Sequence, residues 1–413
     1  MNRREFMVMG AAGAVMAGAK TAFPAIVDAK AKHDAPPRNR RPYSGLDWSS
    51  VKEVHTTSHG HCTGQKMLDG YLERGLGLIT MSNYYPSAPY VPASKMTQNY
   101  YAVHHEHPVM VKGKRVSGPF DWSKIVGGWK DQLPENLRKD IPFKEGAPLF
   151  KPLPPGVLEA PNAEHHSFVG SPTHMCCPGS NFASGTFDAH NKYGAHARGY
   201  HFGSGEPWRD AIDHMLGGLI CPDGGGVTVN HPAWSHLVDA HIQELLDYDP
   251  RVLGIEVYNQ TARPYGAYRW SRANCEDYWD RTLSTGRQCF GFFVPDWGVT
   301  EGVNVLLVKE KTVEACLQAY RQGNFYGAIK GRGLLRFTSI LFDGRNLKVT
   351  LDRPAHIQVL SAKGVVKCCG RLADRMEYAV APAERANHVF LGVRAYRNDE
   401  TEEIIFSQPL MLV

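Results

Sequence analysis

No C-x-x-C spacing occurs among the nine cysteines, which excludes a zinc knuckle and a thioredoxin-type redox motif. Cys176-Cys177 and Cys368-Cys369 are adjacent pairs, and neighbouring cysteines rarely bond to each other. One or two disulfides stay open as options, and the odd count leaves at least one thiol over. A basic stripe interleaved with aromatics is also missing. With a formal charge of only +5 over 413 residues, no stable nucleic-acid partner is expected. A long apolar run is lacking too: the stretch from Phe6 to Val27 is broken by Lys20 and Pro24, so no membrane span is expected in the mature chain. Hydrophobic content of 43% against 21% charged residues excludes a disordered or fibrous chain, and the length allows one large core or two modest ones.

What the amino terminus does have is Asn2-Arg3-Arg4-Glu5-Phe6 ahead of a Gly/Ala-rich, weakly apolar segment. A charged head followed by such a segment reads as a twin-arginine export signal over residues 1–30. The Pro/Arg/Lys-rich residues 31–50 then read as a linker. The expected partner is the twin-arginine export machinery, and the expected location is the periplasm or the exterior. That route carries folded proteins, which suits a site loaded with metal before export.

The most informative stretch is Glu53-Val54-His55-Thr56-Thr57-Ser58-His59-Gly60-His61. Side chains two apart on a strand share a face, so Glu53 and His55 can point to one centre, with His59 and His61 closing round from the turn. A lone His is usually a satisfied polar group. Three His and a Glu in nine residues are costly to place unless a metal or a substrate needs them.

Downstream, an amphipathic helix over 65–73 and an apolar strand over 76–81 complete a β-α-β unit. Residues 85–155 lose that rhythm and read as an insertion lying over the site. Its His104-His105-Glu106-His107 cluster reads more simply as an exposed polar turn than as a metal site. Helices are expected over 208–219, 234–246, 278–285 and 312–322. Strands over 227–230, 253–258 and 289–294 each end in a polar residue, as the strands of a barrel-like α/β domain do. From residue 331 onward short alternating runs, with Asp343-Gly344 as a hairpin turn, predict a β-sandwich-like accessory domain. The clusters at strand ends are Glu53/His55/His61, Glu164 with His174, His231 and Asp296. Carboxylates with imidazoles suit zinc, manganese or iron.

These segments resemble the PHP family, named for polymerase and histidinol phosphatase domains. The likeness lies in VHTTSHGH at 54–61, RGLGLITMSNY at 74–84, VTVNHPAW at 227–234, GIEVYN at 254–259 and YWDRTLSTGRQCFGFFVPDWG at 278–298. LQAYRQGNFYGAI at 317–329 and FSQPLMLV at 406–413 resemble the tail of exported bacterial members. The resemblance implies an α/β fold: a distorted seven-stranded β/α barrel over 51–330, with a small C-terminal β-rich domain over 331–413. It implies a metal-dependent hydrolase, cleaving a phosphomonoester or phosphodiester by metal-activated water on a small-molecule or carbohydrate substrate. Glu53 stands where the family has the first His of H-x-H, and His55 matches the second. His61 fits the following loop ligand, Glu164 the bridging glutamate, His174 and His231 the next ligands, and Asp296 the Asp of the late D-x-H. His165 or His166 substitutes for His174 in a shifted register.

Two family positions are altered: T-D-H has become Ser82-Asn83-Tyr84, and the His of D-x-H has become Gly298. That argues against a third metal and for two divalent ions (Zn, Mn or Fe). Glu53, His55, Glu164 and Asp296 would hold one, and Glu164, His174 and His231 the other. His61 and Asp296 are the expected catalytic residues, His61 as acid or base. Tyr84, Arg198, Trp234 and Trp297 are candidate substrate contacts, although rim packing or a solvated surface explains each as well; the same holds for Lys66. The alternatives are a non-catalytic metal- or glycan-binding protein on the same barrel, or a hydrolase of a non-phosphate carbohydrate.

Overall fold

A computed structural model describes residues 35–62, 64–83, 93, 110–111, 114–115, 148–166, 168–182, 207–259, 274–298, 301–329, 335–362, 364–382, 389–397 and 403–412. The expected export signal, Tyr84, the His104–His107 cluster and Arg198 lie outside these residues. In chain order the strands are β1 (Lys52–Thr56), β2 (Leu78–Ile79), β3 (Met110–Val111), β4 (Lys114–Arg115), β5 (Leu158–Glu159), β6 (Glu164–His165) and β7 (His174–Cys176). They continue with β8 (Val227–Asn230), β9 (Val252–Asn259), β10 (Phe290–Val294), β11 (Gly302–Val308) and β12 (Phe325–Ile329). The last are β13 (Phe337–Phe342), β14 (Asn346–Ser361), β15 (Gly364–Cys368), β16 (Ala373–Ala379), β17 (Phe390–Tyr396), β18 (Ile404–Ser407) and β19 (Leu410–Met411). Among the described residues five helices are interleaved: α1 (Gln65–Glu73), α2 (Trp208–Gly217), α3 (Asp239–Tyr248), α4 (Glu276–Ser284) and α5 (Val313–Gln322).

The expected barrel does not form. Among the described residues the strands lie in open sheets, none of which returns to its first strand. A ten-stranded sheet runs β1-β11-β12-β18-β17-β14-β13, with β15 and β16 on β14 and β19 on β17. A separate five-stranded sheet runs β10-β9-β8-β7-β6, and β2 pairs only with β5. The physical reason is at the edges. β18 occupies the side of β12 that closure would need, in an antiparallel ladder from Tyr326↔Ser407 to Ile329↔Ile404. β1 meets the chain leading into β2 through an isolated backbone bridge, His55↔Leu76, and the Thr56 hydroxyl on the Leu78 carbonyl, not through a continuous ladder.

The two large sheets face each other across close-packed aromatics, Phe293 of β10 lying on Phe406 of β18 with ring centroids 5.1 Å apart. Gly327 of β12 is required there, since a Cβ would run into the Phe293 ring. In the five-stranded sheet β8, β9 and β10 are buried at every position, as strands covered on both faces are, and β10 is apolar throughout. Those three are mutually parallel, so their carboxyl ends open at one edge of the sheet.

The segment before β1 is pinned to the body. The Arg38 guanidinium donates to the carbonyls of Gln288, Leu246 and Val252 at 2.8, 2.8 and 3.0 Å. Tyr43 is buried; its hydroxyl donates to the Phe325 carbonyl and accepts the Gln408 N–H. All nine cysteines are free, so the disulfides left open by the sequence are not made.

Candidate metal centre

Strand β1 ends at Thr56, and the loop that follows is held from three sides. Ser82 Oγ accepts the Gly60 N–H at 2.9 Å, while Asn83 accepts the Cys62 N–H and donates to the Cys62 carbonyl. The Tyr71 hydroxyl donates to the His61 carbonyl at 2.8 Å. The His61 N–H donates to the Asp296 carbonyl, and the Asp296 N–H to the His59 carbonyl. Ser82 and Asn83 therefore clasp the loop that carries His59 and His61.

Glu53 and His55, expected as ligands, stand outside the clusters of candidate donors, which take in His59 beside the expected His61. Glu53 and His55 lie within β1, where Glu53 accepts the Tyr326 hydroxyl at 2.8 Å and faces Arg336. The chain runs on past the strand before it reaches the sheet edge. Two-residue spacing therefore recurs one loop later, as His59-Gly60-His61.

Around this pair the other residues gather. Glu164 (β6) and His174 (β7) come from neighbouring antiparallel strands; His231 and Asp296 follow β8 and β10. Both latter residues sit in the left-handed region, with φ 25° and 58°. Backbone strain of that kind in non-glycine residues is held only where surroundings over-determine it, and it gathers at functional sites.

His59 Nε2 lies 3.4 Å from His61 Nε2, 3.2 Å from Glu164 Oε2 and 3.3 Å from Asp296 Oδ1. His61 Nε2 lies 3.0 Å from Glu164 Oε2 and 3.4 Å from Asp296 Oδ1. Ligands about 2.0–2.2 Å from a shared transition-metal ion stand roughly 3.0–3.5 Å apart at adjacent coordination positions. These five separations fit that requirement. One imidazole proton cannot satisfy two carboxylates and a second imidazole at once; a cation at their focus does. The other oxygen of Glu164, Oε1, accepts from His174 Nδ1 at 2.8 Å and lies 3.4 Å from His231 Nε2, a second triad. Clustered, buried His, Asp and Glu side chains thus form candidate metal-binding sites, with Glu164 between them.

Burial alone would push the His59 imidazole down, yet Asp296 and Glu164 hold it well above its ordinary value. Burial opposes the Glu164 carboxylate likewise, but His59, His174 and His231 keep it well below. The site is thus built for charge, since each ionised group is balanced by a neighbour.

The residue missed from the sequence is Glu256, wholly buried on β9. Its Oε1 takes the proton of His59 Nδ1 at 2.7 Å, and its Oε2 accepts the His231 N–H and Asn259 Nδ2 at 2.7 and 2.8 Å. Asn259 reaches on to Asp296 Oδ2 at 3.1 Å. A carboxylate on the far nitrogen of a ligating His fixes its tautomer and raises its basicity. The signal available was Glu256 inside the otherwise apolar VLGIEVY run at 252–258.

Of the remaining expectations, His165 turns to Phe182, buried and pushed down to about 3, while His166 stacks on His174. Trp297 stacks on His61 at 4.5 Å, and Trp234, 36% exposed, sets its ring edge-on to His231 at 4.9 Å. Lys66 is on the exposed face of α1.

No protein-family model matches this chain, and no curated protein matches it. A solved structure from Bacteroides vulgatus ATCC 8482, a two-domain protein described as containing a predicted PHP-like metal-dependent phosphoesterase, is similar at 12% identity over 91% of each chain, with a TM-score of 0.38. A likeness that slight says nothing about chemistry.

Proposed function

We propose that this protein is a metal-dependent hydrolase of the PHP kind, holding two divalent ions and cleaving a phosphoester. The observation that carries the reading is the set of four donor atoms from His59, His61, Glu164 and Asp296, standing 3.0–3.4 Å apart in the five separations given above. Glu164 extends from it to His174 and His231. Divalent ions in such a site supply Lewis acidity to an ester oxygen and lower the pKa of water. The chain's own residues hold and orient the charge: Glu256 fixes the His59 ring, Asn259 steadies Asp296, and Asn230 steadies Glu164. His61 directs Nε2 into the cluster, so we assign it to ligation in place of the acid–base role expected of it. Trp234 and Trp297 flank the centre as flat walls for a sugar or base. Export by the twin-arginine route to the periplasm or beyond belongs to the same proposal, on the strength of Arg3-Arg4 and the apolar stretch behind them.

Elemental analysis of the mature protein purified without chelator tests the reading, with Glu164→Ala and His231→Ala alongside. Two equivalents of zinc, manganese or iron, lost in the Glu164 variant, together with turnover of aryl phosphomonoesters or phosphodiesters, are expected. A protein that takes up no transition metal, even after refolding with it, overturns the reading.

A further inference from the structure

Glu53 and His55 stand apart from the candidate metal centre, in the lining of a cavity of about 580 Å³. Its walls come from the start of β1, the turn after α1, the chain entering β5, the loop before α5, and β13. None of the metal-centre residues lines it. The volume lies in the range of small-molecule sites, about 300–1,000 Å³.

Its charge is one-sided. Among the described residues Arg74, Lys311 and Arg336 line the cavity, against one lining carboxylate, Glu53. That carboxylate is half-spent: it accepts the Tyr326 hydroxyl, and burial pushes it up. Asp352 draws on Arg336 from behind, 3.6 Å from its Nε, without lining the cavity. Burial, and then Lys311 and Arg336, hold the His55 imidazole below its ordinary pKa, so it adds a hydrogen-bonding group to the lining. Trp48 adds a flat apolar wall. Three cations from separate elements around one concave space raise the local potential for an anion, and two guanidinium forks match the oxygens of a carboxylate or a phosphate.

We infer that this cavity binds a small dianionic molecule through Arg74, Lys311 and Arg336, at a site separate from the metal centre. The shared chemistry is a doubly charged oxyanion group, phosphate or dicarboxylate. The inference stands independently of the hydrolase reading.

Calorimetric titration of the mature protein with inorganic phosphate and, separately, with succinate distinguishes the two sources. Binding of at least one is expected in the wild type and in the Glu164→Ala variant, which disables the metal centre. Lys311→Ser/Arg336→Ser should weaken it at least tenfold. Glu53→Gln, which keeps the acceptor for Tyr326 and removes the opposing charge, should tighten it several-fold, a gain that misfolding cannot imitate. Absence of binding for both anions overturns the inference. So does binding that disappears in Glu164→Ala and is unchanged in Lys311→Ser/Arg336→Ser, or an affinity that Glu53→Gln leaves as it was.

Discussion

Glu256 never faces the metal cluster with a free oxygen, yet two of the residues that do are aimed by it: the His59 ring through Nδ1 and the His231 backbone through its N–H. Removing such a partner typically costs 10–100-fold in metal affinity (about 1.4–2.7 kcal/mol). Glu256→Ala should therefore bind zinc roughly 10–100-fold more weakly while retaining stoichiometry, read by competition with a chromophoric chelator. Unchanged affinity would show that the carboxylate merely fills space. At this scale much of the centre was legible. Glu164, His174, His231 and Asp296 stand out as polar residues at the ends of apolar runs, and the structure brings them together with His61. The slip was in the first pair. Alternation along β1 makes Glu53/His55 and His59/His61 equivalent as patterns, and only the loop clasped by Ser82, Asn83 and Tyr71 decides which pair reaches the edge.

Among the elements, the helices were the easiest to read, because amphipathic spacing and stop signals agree. Helix α5 begins on Thr312, whose hydroxyl accepts the Ala315 N–H at 3.2 Å, and ends on Gly323 in the left-handed region at φ 71°. Helix α3 starts at Asp239, later than the expected 234, because the residues after His231-Pro232 form turns first. Where short separate runs were expected after residue 331, β14 runs unbroken from Asn346 to Ser361, and its pairing with β16 breaks register between Thr350 and Ala355.

Helix α4 carries a titration of its own. Asp280 is raised from 3.8 to about 6, first by burial and then by Glu276, against the pull of Arg394. The folded state therefore holds a proton that the unfolded chain has released between those values. Stability falls as pH rises through that window and stays reduced above it. Asp280→Asn should raise the melting temperature at pH 7.5, reflecting about 1–3 kcal/mol, and bring no gain at pH 4. An equal shift at both pH values would assign the effect to something other than charge.

Over the whole molecule, local rhythm misleads. Helix, glycine turn, apolar strand and polar end recur as a barrel requires, but closure depends on which edges meet, and edge pairing leaves no mark on periodicity. Strand β18 lies against β12, so residues after 331 continue the sheet that begins at β1. A chain ending at residue 330 should expose the whole edge of β12 and lose the Gln408 contacts to Tyr43 and Gly291. Open edges of that kind aggregate, so the fragment is expected in the insoluble fraction. A monodisperse, metal-binding fragment would refute the point.

Placing β18 between β12 and β17 also sets an order of events. The strand that seals the half bearing the candidate metal centre is made long after that half, and the Tyr43 hydroxyl waits for the Gln408 N–H, 365 residues further on. That junction cannot form until the later strand has been made, so completion of the sheet trails the synthesis of its first strand. One short ladder thus ties together segments that leave the ribosome far apart in time.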